Sequence, residues 1–363
     1  MTLPALCRWA FCCAMFALAA SGEDDIAPPK VQVDVPPFPQ LPLVGNAVPD
    51  IPWQPPRPRL EAKTAFAPKF MPGNNIFRGE KEYWLADAVA ATQGHWPNKF
   101  SDPSIDHYLS QVTQNLGQYS HEPSKHYEIQ VINLRVANAF TAGGGKIYIT
   151  RGMLREVESE DELAGVIAHE IGHDNFHHAG RTATRQMFWA AGIREVSSYH
   201  DTAEALKKLL AAYDPERNPL PALGEAVSGI GRADEQSADK AAFYFLYKAG
   251  YDPLALAKYF DRVADPTAAY LRSEAGSAWP VFWTLSLLFD AHPPNELRAA
   301  ALRWESNLVP AVAKDPGTDQ TAFRTMKSRL KYLDEEDARK AAERQTARRG
   351  TTSAGPPSSP QKP

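Results

Sequence analysis

The residues with the clearest chemistry lie in "ELAGVIAHEIGHDNFHH", residues 162–178, whose middle reads His169-Glu170-Ile171-Gly172-His173. On a helix, residues i and i+4 share a face about 6 Å apart. Both imidazoles can therefore point at one metal ion. Glu170 falls about 100° further round the helix, badly placed to share the ion but close enough to reach a water on it. Two histidine ligands beside a glutamate base is an arrangement for metal-assisted hydrolysis. An exposed polar face is the ordinary alternative for such a pattern. The flanks, "LAGVIA" and Ile171, are apolar and argue for a largely buried helix. There, two histidines and a glutamate need a partner.

A zinc site needs a third protein ligand. His177 is four past His173, but one ion cannot reach three histidines spread over roughly 12 Å of helix axis. His177 and His178 therefore read as structural or surface groups. A longer three-histidine motif would have Gly at 176 and His at 179; the chain has Phe176 and Ala179. Glu195 is a further candidate, but four residues after it stands Tyr199 where an aspartate would be wanted. The best candidate is Glu235, in "RADEQSADKAAFYF", with Asp239 at i+4 on one face of an otherwise apolar helix. Glu235 would complete a His2Glu set for one zinc per chain. Asp239 would accept the N–H of a ligand histidine and fix its tautomer. The competing reading is an acidic cluster favoured by the helix dipole.

These side chains need elements to carry them. Residues 80–93 and 104–118 have helical apolar spacing. Residues 127–134 alternate like a strand, and 146–154 repeat the pattern after Gly143-Gly144-Gly145, as its partner strand. Ser159 with Glu162 forms a capping box, so the histidine helix begins near Glu160. A second helix is expected from about Ala233 to Lys248, stopping at Gly250. Asp252-Pro253 then reads as the N-cap and first turn of the next. The run "AWPVFWTLSLLF", 278–289, is too short for a membrane span and reads as core. Residues 321–349 start amphipathic and end as a charged, exposed helix.

Over the whole chain of 363 residues, 44% are hydrophobic and 23% charged, with a net charge of -4. That balance gives no sign of a nucleic-acid or anionic-membrane partner. All three cysteines, Cys7, Cys12 and Cys13, lie in "MTLPALCRWAFCCAMFALAASGEDD", whose single charge at Arg8, apolar run and small residues read as a secretory signal peptide over 1–20. A mitochondrial presequence would carry more arginine. Cleavage would remove every cysteine, which excludes a disulfide framework, a thiol ligand and a thiol nucleophile. Residues 21–73 are proline-rich and read as a linker or a segment draped over the fold. A folded domain is expected over 74–310, a charged helical segment over 311–349, and a disordered tail over 350–363. No internal repeat is visible.

Four blocks in order, "NAFTAGGGKIYITRGML" (138–154), "EDELAGVIAHEIGH" (160–173), "EQSADKAAFYFLYKAGYDP" (235–253) and "HPPNELR" (292–298), resemble the zinc metallopeptidase family. That family includes the HtpX-type heat-shock protease, the CAAX prenyl protease, the Oma-type protease and periplasmic outer-membrane quality-control proteases. The resemblance spans about residues 80–306. It implies a mainly helical α+β, zincin-like fold with a small sheet beside the histidine helix. It implies His169, His173 and Glu235 as zinc ligands, Glu170 as base and Asp239 behind a ligand. It also implies that His292 and Arg298 lie near the zinc, with His292 able to cap the metal or assist, and that strand 146–150 is an edge that pairs with substrate backbone. The triple glycine departs from a leucine–proline–glycine–glycine type of turn. Membrane spans after the leader and a helical-repeat domain, found in some relatives, have no counterpart in this sequence.

The expectation is a zinc endopeptidase of the cell envelope, exported to the periplasm. It would act on misfolded or unassembled protein or peptide, with a possible envelope protein partner. Glu170 would move the proton, and His292 or Arg298 would steady the oxyanion. One rival is a periplasmic chaperone or assembly factor with a latent zinc site. Another is a zinc hydrolase of non-protein amides.

Overall fold

The computed structural model describes residues 51–56, 75–91, 100–212, 231–263, 295–309 and 319–352. The expected leader, most of the proline-rich stretch, the apolar run 278–289, His292 and the tail beyond 352 lie outside these residues. Helices α1 (Glu80–Ala91) and α2 (Pro103–Gly117) lead into strands β1 (Glu128–Ile132), β2 (Ala139–Thr141) and β3 (Lys146–Thr150). Then come α3 (Arg151–Glu156), α4 (Glu160–Asn175), α5 (His178–Ala191) and α6 (Tyr199–Ala212). The described chain continues with α7 (Gly231–Ala249), α8 (Ala255–Arg262), α9 (Asn295–Ser306) and α10 (Thr321–Thr352). Among the described residues this is a mainly helical α+β architecture with one small mixed sheet.

The two expected strands do pair, in parallel, with Glu128 opposite Lys146 and Ile132 opposite Thr150. Two features correct the sequence reading. First, β2 pairs antiparallel with β3, so the order is β1-β3-β2 and β3 is the central strand. The segment 146–150 is therefore not the open edge that the resemblance implied. Second, the chain leaves the sheet at Thr150, whose Oγ1 accepts the Met153 N–H and starts α3. Alternation sorts β3 onto two cores. Ile147 and Ile149 join the core that α4 and α7 share, and Tyr148 joins the one beneath α1 and α6. The triple glycine makes the tight β2–β3 connection, with φ of +84°, +61° and +79°, which other residues adopt only at a cost.

Helix α4 is buried along nearly its whole length. Ser159 Oγ accepts the Glu162 N–H, as expected. In return, Glu162 Oε2 accepts from the Glu158 N–H, one residue earlier than in the usual box. Gly172 faces α7, where a Cβ would stand 3.1 Å from the Ala238 carbonyl oxygen and 3.2 Å from Ala241 Cβ. Small residues on both sides thus let the two helices pack backbone against backbone. Helix α7 stops at Gly250 (φ +93°), with the Tyr251 N–H donating to the Leu246 carbonyl. The next helix starts later than expected, because Asp252 caps a turn at Leu254 and α8 begins at Ala255.

Part of the proline-rich segment is seated on the domain. Ile51 is buried, and Trp53 Nε1 donates to Glu160 at 2.8 Å. The first half of α10 also docks. Lys327 Nζ donates to the carbonyls of Leu154, Arg155 and Val157, at the C-terminal end of α3. Arg151 reaches Asp334 and Asp337, and Arg329 reaches Asp102, the N-cap of α2.

Candidate metal centre

Helix α4 presents His169 and His173 on one face, and α7 presents Glu235 toward them. His169 Nε2 and His173 Nε2 are 2.9 Å apart, Glu235 Oε2 lies 3.4 Å from the first and Glu235 Oε1 3.2 Å from the second. All three residues are buried. Two donor atoms about 2.1 Å from a tetrahedral ion stand about 3.4 Å apart. The donor atoms therefore already lie close to the spacing zinc requires, and their chemistry, two imidazoles and a carboxylate, suits it. Glu170, buried and next to His169 on α4, belongs to the same turn.

Behind the donors lies a second set of polar groups. His169 Nδ1 is 3.0 Å from Asp239 Oδ1. Arg298, on α9, donates to Asp239 through Nε at 2.8 Å and Nη2 at 2.6 Å, and its guanidinium sits 4.1 Å over the Phe260 ring. Burial alone would raise the Asp239 carboxyl, but Arg298 and His169 hold it at about 2. Burial likewise works against a charge on His169, and the hydrogen bonds to Asp239 and Glu235 outweigh it, lifting the imidazole to about 9 in the metal-free chain. A ligand histidine must give up that proton to bind a metal.

His173 is backed differently. Its Nδ1 lies 2.8 Å from Nδ1 of His178, whose Nε2 is 3.3 Å from Ser237 Oγ and 3.5 Å from Asp234 Oδ1. Asp234 also binds Arg181 at 2.5 Å. Burial, then the nearby His173 and Arg181, push His178 well below the usual histidine range. Sequence reasoning missed His178, Asp234 and Arg181. A continuous helix would turn His178 away from His173. The chain instead breaks after Asn175, with His177 in the left-handed region at φ +53°, and α5 begins at His178. His177 itself turns to Glu82, 3.0 Å away. No spacing rule predicts that break.

Of the expected site residues, His169, Glu170, His173, Glu235, Asp239 and Arg298 come together. Glu195 is exposed in the loop between α5 and α6, and His292 lies outside the described residues.

Fold and site together define a helical domain built around a buried His2Glu donor set with a glutamate beside it. The profile of peptidase family M48 matches residues 103–306, more than half of the chain. The chain belongs to peptidase family M48, a class of metalloproteases. It is 29% identical over 172 residues to a putative beta-barrel assembly-enhancing protease of Vibrio cholerae, covering 46% of this chain and 34% of that one. It is 26% identical over 235 residues to the mitochondrial metalloendopeptidase OMA1 of Arabidopsis thaliana, covering 63% and 43%. It is 29% identical over 252 residues to a protease HtpX homolog of Acidiphilium cryptum, covering 61% and 81%. The chain spans about a third of the length of the beta-barrel assembly-enhancing proteases it matches. No described helix is long and apolar enough to cross a membrane.

Proposed function

We propose that the protein is a zinc-dependent endopeptidase of the cell envelope, with a zincin-like catalytic domain, acting on unfolded or unassembled proteins. The observation that carries this reading is the convergence of His169, His173 and Glu235 donor atoms within 4.8 Å of one another, with Glu170 on the same helical turn. His169, His173 and Glu235 would hold the ion. Zinc bound there supplies an acidified water and polarises a carbonyl. Glu170 takes the proton as water attacks the scissile carbon, then delivers it to the leaving amine. Asp239 would hold His169 in the tautomer that leaves Nε2 free to bind, and Arg298 holds Asp239. Arg298, engaged by two bonds to Asp239, is read as a positioning residue and not as the oxyanion donor. The oxyanion role, or that of a cap on the metal, then falls to His292.

Substrate backbone would add to the outer edge of β2, the strand nearest α4 with no second partner strand among the described residues. The envelope location rests on the leader-like first 20 residues and on the likeness to beta-barrel assembly-enhancing proteases. The test is metal content and cleavage of casein by the purified chain. About one zinc per chain is expected, lost together with cleavage in His169→Ala and Glu235→Ala and kept in Glu195→Ala. Full zinc in Glu235→Ala would remove it from the ligand set.

A further inference from the structure

We propose that His178 is a positioning residue for the metal centre: a neutral imidazole whose bare Nδ1 accepts the Nδ1–H of His173 and so turns the lone pair of His173 Nε2 toward Glu235 and His169. The inference rests on the reading of those three residues as metal ligands.

A neutral imidazole carries one N–H and one bare nitrogen. The surroundings of His178 decide which is which. Ser237 Oγ donates its hydrogen to the Asp234 carbonyl at 2.8 Å, so toward His178 Nε2 it can only accept. Asp234 Oδ1, 3.5 Å from the same nitrogen, is also an acceptor. Both neighbours call for a proton on Nε2. Nδ1 is then bare, and the group facing it at 2.8 Å is His173 Nδ1. That nitrogen must donate, which leaves His173 Nε2 unprotonated and directed at the donor cluster. Ligand histidines usually hand their second N–H to a carboxylate, carbonyl or water. His169 follows that rule through Asp239, whereas His173 relies on another histidine.

The backbone is shaped for this contact. Helix α4 ends at Asn175, and His177 takes a left-handed conformation that a non-glycine residue adopts at a cost in strain. The buried carboxylate of Glu82 holds the His177 ring at 3.0 Å. This reversal sets the first residue of α5 directly behind the last ligand of α4. A continuous helix would have carried His178 to another face.

Zinc affinity is measured by chelator competition on the purified chain, for wild type, His178→Phe and His178→Asn. Phenylalanine fills the space without an acceptor, and the asparagine amide oxygen stands near the lost Nδ1. His178→Phe should bind zinc about 10- to 100-fold more weakly, the usual effect of losing such a partner, and His178→Asn should recover most of the loss. Equal affinity in wild type and a folded His178→Phe overturns the proposal. If His178→Phe does not fold, nitrogen-15 imidazole spectra of the zinc-loaded wild type decide. A protonated Nε2 and bare Nδ1 on His178 are expected; a protonated Nδ1 contradicts the assignment. A wild type that holds no zinc would instead remove the metal centre itself, and this inference with it.

Discussion

Gly172→Ala tests the close approach of α4 and α7 on which the spacing of His169, His173 and Glu235 depends. Two effects oppose each other. Replacing glycine by alanine inside a helix is worth about 1 kcal/mol of stability. Against it, the new Cβ would stand 3.1 Å from the Ala238 carbonyl oxygen, 3.2 Å from Ala238 Cα and 3.2 Å from Ala241 Cβ. Two of these atoms are backbone in the middle of α7, so no flexible side chain can swing aside. The helix as a whole must shift by a few tenths of an ångström. Overpacking of this kind costs about 1–3 kcal/mol. It should therefore outweigh the propensity gain, for a net loss of about 1 kcal/mol. The shift also carries Glu235 away from His169 and His173, and zinc affinity should fall about tenfold or more. Urea unfolding of the metal-free chain reads the first effect, chelator competition the second. A variant more stable by about 1 kcal/mol, with unchanged zinc affinity, would refute the claim that this contact sets the helix separation.

Glu160 is fully buried, and burial lifts its carboxyl to about 7 despite donors from Trp53 and Tyr108. The folded chain binds its proton more tightly than the unfolded chain does. The group's contribution is thus complete below about pH 4.5 and is lost as pH rises through 7, about 3 kcal/mol at most. Glu160→Gln should flatten the stability profile between those values, measured by urea unfolding at several pH values; an unaltered slope contradicts the burial argument. Lys327→Met leaves the carbonyls of Leu154, Arg155 and Val157 without their shared donor. It should cost about 1–3 kcal/mol in thermal unfolding, and no change would show that α10 docks without this clamp.

The convergence of these side chains was legible because helical spacing is a rigid rule: His169 with His173, and Glu235 with Asp239, stand four apart and do share faces. The pairing of β1 with β3 was legible as alternation, though its parallel sense came only with the fold, and the start of α4 was legible as a Ser159 cap. What sequence did not carry depended on tertiary contact. β2 has three residues, too few for a period, yet its pairing makes β3 central. The strand reading of 151–154 failed because Thr150 caps α3 with its own side chain. Arg298 was found by resemblance, and its bond to Asp239 came only with the fold. His178 was grouped with His177 as a structural or surface residue, and its place behind His173 came only with the left-handed His177.

The most direct test compares wild type with Glu170→Gln for cleavage of an unfolded protein, with zinc measured on both samples. The substitution keeps the shape of the side chain and removes its capacity to take a proton. The account predicts about one zinc per chain in each, with cleavage by Glu170→Gln lower by about 10²- to 10⁴-fold, the range for losing a general base. Equal cleavage at equal zinc content would contradict it.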